Sequence, residues 1–235
     1  MPGDRGWLLA LDLSTPRGLL VLDGPAGLLH REIDGDSRVS RLFVAAGELL
    51  GEAGITPRGL SLLGVGGGPG SFTGVRVAVT AAKFMAYLVE VPLVAPDSLM
   101  VTAAGVGADP GAVFAAIDAR RGEVYHALYR MENGYPVALR EPRVSTPQTA
   151  SARLKSWSGE LREDVVMAGT GIGAYADVWP QDLDEAGEDL PDAGGLARLC
   201  RLAAERGQYV EPLRLMPFYL RRPDAQERPS CSGGG

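Results

Sequence analysis

Lysine is almost missing from this chain. Of its 23 basic residues only Lys83 and Lys155 are lysines, so a lysine-centred phosphate clamp has two places to sit. Cysteine and histidine are as scarce, with two of each in 235 residues. Cys200 in a helix-like segment and Cys231 in the tail "PSCSGGG" can build neither a disulfide framework nor a zinc knuckle, and both read as structurally incidental. His30 and His126 are far apart, each on a strand-like stretch, so no metal-binding set converges. Aromatics make up 6%, which leaves Leu, Val and Ala to fill the core. An excess of positive charge is lacking too. The net charge of -6 and the pI near 5.0 count against a stand-alone nucleic-acid binder, which needs clustered positive charge, so a direct grip on RNA or DNA would need help from a partner. No uninterrupted apolar run reaches the roughly 18 to 20 residues of a membrane span. The amino end "MPGDRGWLLALDL" has no basic stretch followed by a signal-like core, so the expectation is a cytoplasmic protein with no membrane attachment.

What is present is ordinary globular composition: 46% hydrophobic, 22% charged, mean hydropathy +0.02. The length exceeds a usual single domain of roughly 100 to 200 residues and suggests two modest ones. "WLLALDLS", "RGLLVLDG" and "GLLHREID" read as three strands joined by tight turns, an antiparallel meander. Leu42, Ala45, Ala46, Leu49, Leu50 and Ala53 then fall at helical spacing, and Gly54 ends that helix. "LSLLGV" is a short buried strand, residues 73–89 a helix apolar on nearly every side, "VPLVAPD" a strand and "SLMVTAAG" a short helix. The same order then begins again. "AVFAAIDA" and "EVYHALYR" flank a tight "RRG" turn, "EPRVSTP" is a third strand, "TASARLKSW" a helix, "DVVMAGT" a strand and "GIGAYADVW" opens as a helix. The predicted division is a first domain over 1–104, completed by a returning helix at 194–220, and a smaller one over 105–193. An acidic linker is expected near 181–193, and a largely disordered tail over 221–235.

Between "LSLLGV" and the apolar helix lies "GVGGGPGSFTGVR", the most distinctive stretch of the chain. It is not a Walker loop, because Val75 and Arg76 follow Gly74 where Lys and Ser/Thr are needed, and the dinucleotide fingerprint fails to come into register. Two readings remain. The loop's backbone N–H groups and the helix amino end could attract an anion, or Gly70 and Gly74 serve a close approach of two backbones. Phe72 at the tip favours packing over phosphate.

The run "GVGGGPGSFTGVRVAVTAAKFMAYLVEVPLVAPDSL" resembles the bacterial TsaB family, also called YeaZ, as do "LALDLSTP", "IDARRGEVYHALY" and "MPFYLRRPDA". The resemblance covers most of the chain in order. It implies the fold of the actin, Hsp70 and sugar-kinase superfamily: α/β, two related ribonuclease H-like domains, each a mixed sheet that starts with three antiparallel strands. It further implies a non-catalytic subunit that activates TsaD, the relative that transfers a threonylcarbamoyl group onto the adenosine next to a tRNA anticodon. A TsaE-like ATPase is an implied third partner, and tRNA is met only through the complex. The metal-binding histidine pair of TsaD has no counterpart in "SLMVTAAG", so no metal is expected here. No cofactor is expected on this chain alone, with ATP or ADP confined to the boundary with the partner. Leu13 departs from the family's usual Asp-Thr-Ser and removes a hydroxyl from the first phosphate loop.

The candidate residues follow. Partner-binding positions are Phe72, Arg76, Val79, Thr80, Lys83, Phe84 and Tyr87 on the apolar helix and Leu42, Ala46 and Leu49 on the helix before it, a surface that could also pair with itself. Arg76 and Lys83, seven residues apart, share a face and either snorkel at a core rim or meet the partner. Gly68, Pro69, Gly70, Ser71, Thr73 and Gly74 shape the loop. Asp12, Ser14, Asp118, Gly169 and Gly171 form a vestigial nucleotide site. Asp12 and Asp118 would either face a cleft as a magnesium-orienting pair or simply cap turns. Glu123 and Tyr125 share a strand face and read as surface pairing. The rival reading is a free-standing ATPase or small-molecule kinase. A protease is excluded, because His30, His126, Cys200 and Cys231 cannot be assembled into an activated nucleophile.

Overall fold

A computed structural model describes residues 6–34, 38–107, 111–161, 163–186 and 191–221. The first sheet opens with β1 (Trp7–Asp12), β2 (Gly18–Gly24) and β3 (Gly27–Ile33), paired antiparallel in turn. Helix α1 (Arg38–Glu52) then crosses over so that β4 (Leu60–Val65) can lie parallel to β1. Helix α2 (Phe72–Val89) makes the next crossover, to β5 (Leu93–Val94) parallel to β4. The chain continues through α3 (Ser98–Gly105) into the second sheet.

There β6 (Ala112–Arg120), β7 (Glu123–Glu132) and β8 (Tyr135–Ser145) repeat the antiparallel opening, followed by α4 (Pro147–Glu160) and β9 (Val165–Ala168) parallel to β6. Strand β8 runs back to Tyr135, well before the predicted "EPRVSTP". After α5 (Thr170–Ala174), Asp184–Glu185 form β10 at that sheet's edge, so the acidic stretch is partly strand and not merely linker. Helix α6 (Ala193–Glu205) returns to the first sheet, where Tyr209–Val210 form β11 against β5. The predicted helix over 194–220 therefore stops early, at Glu205, with Gly207 at φ 70 just beyond. Residues 211–221 run on as a strap over α2, one 3-10 turn at Pro212–Arg214 followed by irregular chain. The remainder of the expected tail, with Cys231, lies outside the described residues.

Strand alternation splits the first sheet between two cores. Leu9, Leu11, Leu20 and Leu22 meet Leu42, Ala46 and Leu49 of α1 and Val75, Ala78, Val79 and Ala82 of α2. Leu8, Ala10, Leu19 and Val21 meet α6 and one side of α3. The other side of α3, Leu99 and Ala103, packs on Val113, Ala115, Ile117 and Tyr129 of the second sheet. The helix covered all round is thus α3, which lies between the sheets. Helix α2 is long and apolar enough to cross a bilayer, yet it is the crossover helix between two parallel strands and packs one side on the sheet.

Candidate functional site

The glycine loop lies directly on the turn after β1. A Cβ at Gly70 would sit 2.5 Å from both the Cβ and the carbonyl oxygen of Ser14, and Ser71 N donates to Ser14 O at 2.7 Å. The loop's N–H groups are largely committed inside the protein. Gly66 donates to Leu11 O, Gly67 to Pro96 O, Gly68 to Ser98 Oγ and Gly74 to Ser71 Oγ, at 2.8, 2.8, 3.1 and 3.3 Å. Gly70 makes a close approach of the kind the second reading describes. It fixes the start of α2, whose N-cap is Ser71.

A cavity of about 840 Å³ opens between the two sheets' ends, lined by Ser14, Gly70, Ser71 and Thr73 on one side and Asp118, Arg120, Arg121 and Thr170 on the other. Tyr219 and Arg221 of the strap close one wall. Asp118 N donates to Thr170 Oγ1 at 3.2 Å, and Arg120 N donates to Asp118 Oδ1 at 2.9 Å, so this aspartate caps its turn. Asp12 does the same on the other side, accepting Ser14 N at 2.7 Å. Asp12 is not in the cavity wall. It is buried, its Oδ2 is unpartnered, and a Cβ at Gly66 would lie 1.9 Å from that oxygen. Burial raises its pKa, against the lowering hydrogen bonds from Ser14 and Ser98. Asp12 therefore does not reach the cavity, and Asp118 is the carboxylate that stands in its wall. Gly169, with φ 104, and Gly171 are packing glycines, since a Cβ on either would come within 3.2 Å of Ala116 backbone atoms.

The sequence-predicted partner positions divide in two. Leu42, Ala46, Leu49 and Val79 are buried in the chain's own core and, contrary to expectation, do not face a partner, because α1 and α2 use these positions to cover the first sheet. Phe72, Thr80, Phe84 and Tyr87 are exposed, joined by Leu88 on α2 and by Phe43 and Val44 on α1. Arg76 and Lys83 are engaged by the chain's own carboxyl end: Lys83 Nζ donates to Leu215 O at 2.9 Å and Arg76 Nε to Tyr219 OH at 2.8 Å. The Arg76 guanidinium also lies 3.7 Å from the Phe72 ring centre. Sequence reasoning missed this strap. Its signal was in "PLRLMPFYLR", rich in apolar residues but without helical period.

Among the described residues, Cys200, His30 and His126 lie apart from one another. Cys200 packs over Gly64, and burial pushes its thiol up to about 12. His126 is buried beside Ser145 on β7, while His30 is exposed on β3 of the other sheet. Among the described residues no three or more His, Cys, Asp or Glu side chains converge on a metal position.

Two mixed sheets, each opening on three antiparallel strands, with a cleft between them and a half-bare crossover helix, define an actin-like α/β protein. Component A of (R)-2-hydroxyglutaryl-CoA dehydratase from Acidaminococcus fermentans shares this fold at a TM-score of 0.52 and 10% identity, with 85% of this chain and 98% of that one covered. Residues 36–189 match the family described as TsaD, tRNA N6-adenosine threonylcarbamoyltransferase. The tRNA threonylcarbamoyladenosine biosynthesis protein TsaB of Escherichia coli is 34% identical over 223 residues, 91% of this chain and 94% of that protein. YeaZ from Pseudomonas aeruginosa superposes with a TM-score of 0.80 at 30% identity, covering 92% of this chain and all of its own. The chain belongs to the TsaB (YeaZ) family of tRNA threonylcarbamoyladenosine biosynthesis.

Proposed function

We propose that this chain is the non-catalytic subunit that docks on and activates a TsaD-like threonylcarbamoyltransferase in the cytoplasm. The observation that carries the reading is the outer row of α2, where Phe84, Tyr87 and Leu88 stand 54%, 66% and 61% exposed. Large apolar side chains gathered on one helix face mark an interaction site. The sealed Asp12 and the capping role of Asp118 speak against independent phosphoryl transfer, so the rival ATPase or kinase reading gains no support from the site. In this reading ATP or ADP belongs to the boundary with the partner, tRNA is contacted through the complex, and a TsaE-like ATPase joins it.

Phe84→Glu tests the docking face. Burying Phe84 contributes roughly 1.5 to 3 kcal/mol, and an unpaired carboxylate in its place adds a desolvation cost, so affinity should fall at least about a hundredfold. The variant should keep its circular dichroism and melting temperature, because the side chain touches solvent. Calorimetric titration against the TsaD-like protein from the same source measures the loss, and wild-type affinity in the folded variant would falsify the placement.

A further inference from the structure

We infer that the partner's footprint extends from α2 onto the strap at residues 213–221, and that docking there clamps the strap across the cleft. This rests on the docking reading above and adds to it a second contact surface and a linked response in the cleft.

The strap is fastened along its length. Leu215 packs into the first core cluster while its carbonyl accepts Lys83 Nζ, and Phe218 N donates to Gly67 O at 2.8 Å. The Tyr219 ring lies 5.6 Å from that of Phe72 and its hydroxyl accepts Arg76 Nε. Leu220 packs on the core of the second sheet, and Arg221 pairs with Glu123. One segment therefore ties α2 and the glycine loop to the other half of the molecule.

Its remaining side chains point outward. Leu213, Met216 and Phe218 are 67%, 71% and 41% exposed, although the backbone that carries them is held in place. Area explains why a partner would use them. Phe43, Val44, Phe84, Tyr87 and Leu88 together offer roughly 500 Å² of side-chain surface, given about 150 to 250 Å² for a whole aromatic. A stable interface of standard size buries about 800 Å² on each partner. The three strap residues supply roughly 300 Å² more on the same reckoning, and Tyr87 lies one helical turn from Lys83, where the strap is held.

Displacing the strap instead would unpair Arg76, Lys83 and the Phe218 amide and uncover Leu215 and Leu220. A partner seated on top keeps those bonds and gains the outward row. Because Tyr219 and Arg221 also line the cavity, a clamped strap restrains the cleft wall opposite the Asp118–Gly122 turn.

The test uses the full chain and its TsaD-like partner, with calorimetric titration and amide hydrogen exchange. Met216→Glu and Leu213→Glu, both at exposed positions, should leave the free subunit's melting temperature unchanged and weaken binding at least about tenfold. Complex formation should slow exchange at the Phe218 amide and across 118–122. Wild-type affinity in both strap variants, with Phe84→Glu still non-binding, would overturn the strap footprint and leave the docking reading intact. Faster exchange at Phe218 on docking would show displacement and overturn the clamp. Wild-type binding by Phe84→Glu would remove the reading beneath both.

Discussion

Two titratable side chains, the half-buried Asp97 and the buried His126, oppose one another in their effect on stability. Asp97 caps α3, accepting Met100 N at 2.8 Å and the Tyr129 hydroxyl, from the second sheet, at 3.1 Å. Burial lifts its pKa from 3.8 to about 6. The folded state therefore holds this proton longer than the unfolded state, and the contribution to stability falls as pH rises from about 3.8 to 6. His126 works the other way. Burial, reinforced by Arg153 and Arg143, lowers its pKa from 6.5 to about 4, so stability rises as pH climbs from about 4 to 6.5. The windows overlap and the slopes cancel in part. Asp97→Asn keeps an oxygen for both hydrogen bonds and removes one of the two titrations. The variant should gain roughly 2 to 3 kcal/mol above about pH 7, after allowing about 0.3 to 1 kcal/mol for the lost charge at the helix start. It should also show a steeper loss than wild type as pH drops from about 6.5 to 4. Thermal melts across that range decide it, and parallel profiles for the two proteins would refute the assignment.

Individual elements were more legible than their surroundings. The inward side of α1 is plain from its 3.6-residue spacing, but spacing marks burial without saying in what: Leu42, Ala46 and Leu49 suit a partner contact as well as the first sheet that covers them. The same limit applied to α2 and α3. Both sequences are apolar all round, and only the placement of a second sheet decides that α3 is enclosed while α2 keeps a bare side. The glycine loop shows the converse, a local motif whose role depends on a distant turn. Gly70 faces the Ser14 backbone, which cannot swing aside as a long side chain could. Gly70→Ala should therefore destabilise by about 2 kcal/mol or more and shift the start of α2. Gly173→Ala, where a Cβ meets nothing within 4 Å, serves as the control and should change little. Equal denaturation midpoints for the two variants would mean that the close approach is not a constraint.

At the level of the whole molecule, the sequence disclosed the repeated order of elements but not the strap, whose partners lie 132 and 143 residues away along the chain. Contacts at such separation leave no local period to read. The bare α1–α2 face has a further consequence for the subunit on its own. An exposed apolar surface of roughly 500 Å² is at the upper end of what monomers carry, and two copies can cover it by a two-fold arrangement in which the same residues meet. Each copy also carries a net charge of -6, which opposes association at long range. Self-association should therefore be weak at low salt and strengthen as ionic strength rises from about 0.05 to 0.5 M, where the Debye length shrinks to a few ångströms. Sedimentation equilibrium at micromolar to tens of micromolar chain should show a monomer–dimer equilibrium that moves in that direction. Phe84→Glu should hold the chain monomeric at every salt concentration, and added TsaD-like partner should convert dimer to heterodimer, because both assemblies need the same row of α2. A dimer that survives Phe84→Glu, or one that binds the partner without coming apart, would place self-association on another face.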